Sequence, residues 1–329
     1  MESYKTKYIS TPPLSALEPP LLNLQRLRFA KYFGGVNVDF KYVESFEGGI
    51  VVKDVMNFQL PHIFDCGQCF RWNSQENGNY IGIAFERVIE VEKRENDVII
   101  YNTTEEEFED IWVDYFDLYR DYSSIKKVLG EDELLRKSVE FGEGIRILKQ
   151  EPFEITISFI ISANNRIPMI KKAINNIARK WGKAIDYKGN TYYTFPSIKD
   201  LENCTIDELS DCGTGFRAKY IKSTIEGIIK GEINLRDIKE LSDDQCHNAL
   251  QELSGVGPKV ADCIMLFSMQ KYSAFPVDVW VKRAMQHFYL APDVSLKKIR
   301  DFGRDKFEEF SGFAQQYLFY YARENNIKI

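Results

Sequence analysis

The feature that most limits how this chain can fold is a change of hydrophobic period at Thr104. Before it, from Phe40 onward, apolar residues come in short β-favouring runs: Gly49–Val52, Cys69–Trp72, Tyr80–Phe85, Val88–Glu92 and Val98–Tyr101. Asn77-Gly78 and Glu95-Asn96-Asp97 read as tight turns between them, so an antiparallel sheet is predicted. After Thr104 the spacing turns helical, with starts at Asp132, Pro152, Pro168, Thr205, Arg217, Ser242, Pro258, Asp278, Ser295 and Gly312. Thr205 with Glu208, and Ser242 with Gln245, fit the reciprocal capping box that satisfies free amides at a helix start. The predicted fold class is therefore α+β: an antiparallel-sheet domain with trailing helices over 39–145, then a mostly α-helical region over 146–329. The proline-bearing stretch 1–38 has no clear period and is expected to be a disordered extension.

Within the helical region, Leu253 to Arg283 carries the densest chemistry. Gly255-Val256-Gly257 offers two residues free to take positive φ, and Pro258 suits the first position of a new helix, so helix, hairpin, helix is predicted. Successive amides at such a turn, beside a helix N-terminus, make a phosphate site. Lys259 falls in the first helical turn, where the helix dipole disfavours positive charge, and Cys263 lies one turn on along the same face. Pro276-Val277-Asp278 then breaks the chain, placing Asp278 to cap the next helix. Taken singly, each of these features is more often structural than functional. Together they offer an anion clamp, an amine nucleophile and a carboxylate.

Composition narrows the class. With 329 residues, 44% hydrophobic and 28% charged, the chain has the make-up of an ordinary globular protein. It shows neither a membrane span nor a signal peptide, and six scattered cysteines do not read as a disulfide scaffold, so a reducing cytoplasm is expected. The net charge of −6 argues weakly against nucleic acid, but its distribution matters more. Between Ile155 and Ile185 stand Arg166, Lys171, Lys172, Arg179, Lys180 and Lys183 without an acid, whereas Glu105 to Asp117 carries only acids. Cys66-Gly67-Gln68-Cys69 lacks the second close pair a zinc site wants, and it runs into a strand instead of opening a helix, as a redox pair would.

Gly255–Cys263 (GVGPKVADC) followed by Phe275–Asp278 (FPVD) resembles the helix-hairpin-helix plus Gly/Pro-Asp motif of DNA base-excision glycosylases. Asp65–Trp72 (DCGQCFRW) resembles the Gly-Gln-Ser-Phe-Arg-Trp stretch of the eukaryotic-type 8-oxoguanine DNA glycosylases, here in a bacterial, clostridial-like branch, with Cys69 in place of the serine. The resemblance spans roughly Phe40 to Arg323 and includes SANN at Ser162–Asn165, GTGFR at Gly213–Arg217 and FAQQYLFYYAR at Phe313–Arg323. It implies an active-site cleft between helical subdomains and a bifunctional glycosylase and β-lyase acting on double-stranded DNA that contains 8-oxoguanine. Lys259 would attack C1′ and Asp278 would stabilise the positive charge on the sugar. The Gly67 carbonyl would accept the N7–H that only the oxidised base carries, because N7 of guanine is itself an acceptor. Gln315 would hold the Watson–Crick edge, with Phe319 and Cys263 on the two planes of the extruded purine. Asn164 would fill the vacated stack, Phe216 would wedge the opposite strand, Arg217 would touch the partner base, and Gly255, Val256 and Gly257 would clamp phosphate.

The same resemblance implies no metal and no cofactor, since no cysteine follows Cys263 to build an iron–sulfur loop, and it implies a monomer associated with the bacterial nucleoid. Two departures stand out. Met169 occupies the place of an arginine that reads the opposite cytosine, so relaxed opposite-base selectivity is expected; Trp280 replaces a histidine near a DNA phosphate. Two alternatives remain open: a non-catalytic helix-hairpin-helix DNA-binding module, and a monofunctional glycosylase for alkylated or mispaired bases.

Overall fold

The computed structural model describes residues 25–26, 38–291 and 293–327. Most of the expected extension 1–38 lies outside the described residues, but within it Gln25–Arg26 pairs as a short strand (β1) with Ser45 and Glu44. The other strands of the main sheet are β2 (Tyr42–Phe46), β3 (Gly49–Lys53), β4 (Trp72–Ser74), β5 (Tyr80–Ala84), β6 (Arg87–Arg94) and β7 (Asp97–Tyr101). Their spatial order is β1-β2-β3-β7-β6-β5-β4, with every neighbouring pair antiparallel. The hairpin β2–β3 and the meander β4 to β7 are joined where Val51 stands opposite Ile99.

The predicted strand over Tyr80–Phe85 ends one residue early, because Phe85 and Glu86 take φ of 49° and 59° and form the turn. Two left-handed residues match the right-handed twist of the flanking strands, and nothing in their side chains announces it. The predicted strand at Cys69–Trp72 begins only at Trp72. The preceding residues 65–71 form a loop, which matters below.

One sheet face covers an aromatic core that includes Phe58, Phe64, Trp72, Trp112, Tyr115 and Phe116, with Phe64 and Trp72 stacked at 3.9 Å between ring centroids. The opposite face, at Ile81, Ile83 and Val88, is covered by Ile185, Tyr187 and Tyr192. These come from a second hairpin, β8 (Ala184–Tyr187) with β9 (Asn190–Tyr193), inside the region predicted to be helical throughout. Its docking explains why every residue of β5 is buried, a pattern that a one-faced sheet would not give.

The helices that build the site are α1 (Leu60–Phe64), α2 (Pro152–Ser162), α3 (Ile167–Trp181), α4 (Ala218–Ile229), α5 (Asp243–Gln251), α6 (Pro258–Ser268), α7 (Val279–Phe288), α8 (Leu296–Phe307) and α9 (Ser311–Glu324). Helix α2 is buried on all sides from Ile155 to Ile161, Thr156 and Ser158 included, as befits a helix at the centre of a core. Both predicted capping boxes form, at Thr205/Glu208 and Ser242/Gln245.

Sheet and helices meet at Arg146, whose side chain is fully buried. Its guanidinium donates to Asp39 Oδ2 (2.9 Å), to the carbonyls of Phe116 (2.9 Å) and Asp117 (2.5 Å), and lies 4.2 Å from the Tyr122 ring centroid. A planar fork with five donors suits this multiple demand, which a lysine could not meet. Removing it would leave Asp39 as an uncompensated buried charge. Arg146→Met is therefore expected to lower stability by about 3–5 kcal/mol in urea unfolding, well beyond a typical surface substitution.

Candidate active site

The hairpin joins α5 to α6 as predicted, but its glycines serve different ends. Gly255 takes φ +82°, and a Cβ there would lie 2.6 Å from the Tyr220 ring, so only glycine fits. Gly257 departs from the expectation of positive φ: it is the N-cap of α6 at φ −94°, ψ 179°, and no heavy atom lies within 4 Å of where its Cβ would stand. The open space above Gly257 is room for an approaching ligand. Val256 buries its side chain in the core, and its amide donates to the Leu253 carbonyl at 3.1 Å, so that N–H serves the turn itself.

Lys259 follows in the first turn of α6, half-buried, with Nζ 5.4 Å from the Phe159 ring centroid. Cys263 lies one turn deeper and is buried; burial pushes its thiol up to about 11 despite the nearby Lys259 charge. Asp278 caps α7 as predicted, its Oδ1 accepting from the amides of Trp280 (3.0 Å) and Val281 (2.8 Å). Burial raises the Asp278 pKa above the usual carboxylate range, opposed by the Val281 amide and by the charge of Lys259.

From the sheet domain comes the loop 65–70. Gly67 takes φ +80°, and a Cβ would stand 3.0 Å from Phe319 Cε1, so both backbone conformation and close packing demand glycine. The loop is tied down by carboxamides that sequence reasoning did not single out. Gln68 Nε2 donates to the carbonyls of Ile63 (2.9 Å) and Arg146 (2.8 Å), while its Oε1 accepts from the Leu148 amide at 2.9 Å. Gln150 donates to the Gln68 carbonyl and Gln316 to the Cys66 carbonyl, at 2.8 Å and 2.7 Å. The available signal was Gln315-Gln316 inside an otherwise apolar helix: buried amides need partners. Cys66 and Cys69 are buried free thiols that donate to the Ile63 and Phe64 carbonyls.

Gly67, Lys259, Cys263, Asp278, Gln315 and Phe319 all line one cavity of about 310 Å³, shared with Phe159, Trp280 and Arg323. Gln315 is only 4% exposed, and among the described residues its Oε1 has no hydrogen-bond partner. A buried amide oxygen without a partner costs about 1–3 kcal/mol, which a donor on a ligand would recover. The cavity thus combines an amine, a carboxylate, an aromatic wall and a waiting acceptor.

Asn164, Phe216, Arg217 and Met169 are not among the residues that line the cavity. Asn164 is exposed at φ 50°, just after α2, which begins at Pro152 as predicted. Phe216 is 60% exposed, an unusual position for a large aromatic ring. Arg217, expected to reach the partner base, is turned inward and buried: it donates to the carbonyls of Ala163 (2.8 Å), Asn164 (2.9 Å) and Thr214 (3.4 Å). The carbonyls at the end of α2 attract the cation, and in return it fixes the backbone of Asn164. Met169 is exposed on the first turn of α3, and Trp280 lies beside Arg283, whose Cζ is 5.0 Å from its ring centroid. Within the basic run, Lys172 and Arg179 are exposed. Lys180 and Lys183 pair with Glu208 and Glu86, each at 3.0 Å, Lys171 donates to the Trp72 carbonyl, and Arg166 lines the cavity.

Two family models match the chain. Residues 157–309 match the HhH-GPD superfamily base excision DNA repair protein model, and residues 50–156 match the 8-oxoguanine DNA glycosylase N-terminal domain. The chain belongs to the 8-oxoguanine DNA glycosylase family of the helix-hairpin-helix Gly/Pro-Asp superfamily. A probable N-glycosylase/DNA lyase of Methanothermobacter thermautotrophicus is 36% identical over 232 residues, 64% of this chain and 74% of the relative. An N-glycosylase/DNA lyase of Arabidopsis thaliana is 31% identical over 79% of this chain and 76% of its own length. Among solved structures, the Clostridium acetobutylicum 8-oxoguanine glycosylase/lyase in complex with double-stranded DNA containing cytosine opposite 8-oxoguanine is 65% identical. It aligns at a TM-score of 0.87 over 88% of this chain and 100% of that one.

The two glycines separate folding from binding. Gly255→Ala is expected to lower the unfolding midpoint through strain and the Tyr220 clash. Gly257→Ala should fold normally and weaken duplex binding about tenfold in an anisotropy titration, because its methyl occupies the open approach.

Proposed function

We propose that this chain excises 8-oxoguanine from duplex DNA and then nicks the strand at the resulting site, as a bifunctional glycosylase and lyase of base-excision repair. The observation that carries the reading is the unpartnered Oε1 of Gln315 at the wall of the cavity that also holds Lys259 and Asp278. A purine presents N–H donors on its Watson–Crick edge, and an extruded base offers them to such an acceptor.

In this mechanism the duplex is held through phosphates at the open hairpin face around Gly257 and by the cations that remain free near the cleft. Asn164 and Phe216, both exposed, fill the gap left by the flipped nucleotide. The base stacks on Phe319, with Cys263 on its other plane, and its N7–H faces the Gly67 carbonyl. Lys259, as the free amine, gives its lone pair to C1′; the C1′–N9 bond breaks, and its electron pair leaves with the base, which takes up a proton. Asp278 as carboxylate stabilises the positive charge on the sugar through the transition state. Loss of the amine protons and opening of the sugar ring give a Schiff base. Removal of a C2′ proton then expels the 3′ phosphate by β-elimination, and water releases the lysine.

In this reading Arg217 acts by holding Asn164 in its left-handed turn, and Met169 presents no donors to the opposite base, so excision tolerates several partners. The chain works on DNA as a monomer in a reducing cytoplasm, a setting suited to its six buried free thiols.

Borohydride trapping on duplexes with 8-oxoguanine opposite each of the four bases tests the scheme. Wild type should give a covalent adduct opposite each base at rates within a few-fold, and Lys259→Gln should give none. An adduct from Lys259→Gln equal to wild type would remove the lysine from the mechanism. Met169→Arg should raise the preference for cytosine about tenfold, the effect of one bidentate contact.

A further inference from the structure

The loop that carries Gly67 presents four successive peptide carbonyls, Asp65 to Gln68, and three of them are occupied. The Asp65 carbonyl accepts from Arg323 Nη2, the Cys66 carbonyl from Gln316 Nε2 at 2.7 Å, and the Gln68 carbonyl from Gln150 Nε2 at 2.8 Å. Among the described residues the Gly67 carbonyl receives no hydrogen bond. Arg323 and Gln316 both project from α9, the helix that also supplies Gln315 and Phe319. Arg323 has a second contact in the same place: its Cζ lies 5.2 Å from the Phe319 ring centroid, and Nη1 stands 3.8 Å from where a Gly67 Cβ would be. One side chain thus touches the loop backbone, the stacking ring and the gap that glycine leaves between them.

The Cys66 and Gln68 carbonyls belong to the peptide planes immediately before and after the one that carries the Gly67 carbonyl, so holding both brackets that plane on either side. With φ of Gly67 at +80°, a conformation glycine reaches freely but does not itself prefer, these outside tethers decide where its own carbonyl points. We infer that Arg323 and Gln316 are positioning residues that aim the Gly67 carbonyl and seat Phe319 against it, and so set the selection of oxidised purine over guanine. The inference rests on the activity proposed above. It assigns to α9 a role in recognition beyond the base contacts of Gln315 and Phe319: the helix that reads one edge of the base also holds the loop that reads the other. Arg323 is turned toward this task and also pairs with its neighbour Glu324 at 2.8 Å. Nothing in its local sequence requires the contact with Asp65.

The test compares two reactions of the same preparation. An abasic duplex has no base to recognise, so borohydride trapping on it reports Lys259 and folded protein, whereas single-turnover excision of 8-oxoguanine also requires the aimed carbonyl. In Arg323→Met and Gln316→Met the ratio of excision to abasic trapping should fall about tenfold, the effect of one misplaced hydrogen bond. Arg323→Lys, which can still donate to Asp65, should recover part of the ratio. In a competition assay, both methionine variants should also lose preference for 8-oxoguanine duplex over undamaged duplex. A ratio equal to wild type, or excision and trapping falling together, would overturn the inference by showing that the two side chains serve the fold alone. Failure of the unsubstituted chain to excise 8-oxoguanine while trapping abasic DNA would instead overturn the proposed substrate, and this inference with it.

Discussion

The site depends on hydrogen bonds between buried carboxamides and the backbone of one loop. Gln68, Gln150 and Gln316 come from different parts of the chain, and each binds backbone that would otherwise be buried without a partner. A buried amide left unmatched costs more than a matched one gains, so such a network tolerates one arrangement and penalises others. It fixes the loop of the sheet domain against α9 and the start of α2. Arg146 does the same one step away, binding Asp39 and several carbonyls where the two cores meet. Without these tethers the sheet and the helical region would each retain a core, yet Gly67 and Lys259 would have no set relation.

On that frame, the chemistry follows from partial burial. Lys259 and Asp278 line the same cavity, and the carboxylate is held up in pKa by burial while two α7 amides and the lysine charge hold it down. The cap role and the charge role of Asp278 are the same geometry seen twice: the helix start that needs an acceptor also orients the carboxylate toward the cavity. Gly255 and Gly257 divide labour in a similar way, one admitting the turn and the other leaving its approach open.

Local chemistry was legible where it is local. Pro258 at a helix start, Asp278 at the next cap, the two capping boxes and most strands of the sheet could be read from the residues, since propensity and hydrogen bonding act over three or four positions. The misses share a cause. The Phe85-Glu86 turn carries no glycine or asparagine; β8–β9 hides among helices because its apolar residues answer to a distant sheet; and Arg217 looks like a free reader until its carbonyl partners, more than fifty residues away, come into view. Gln68, Gln150 and Arg323 could not be singled out, because a polar residue declares its role only through its partner.

By itself, the sequence determined the α+β division at Thr104, the helix-hairpin-helix with its lysine and later aspartate, and the identities of the groups offered for chemistry. Those follow from period, turn stereochemistry and side-chain type, all of which are carried within a few residues. Only the tertiary structure decided that Gly67 and Phe319 touch, that Gln315 keeps an acceptor without a partner, and that Arg217 faces inward while Arg323 faces the loop. The physical reason is that burial and long-range pairing set whether a polar group is satisfied, and satisfaction separates a structural residue from one left ready for a ligand.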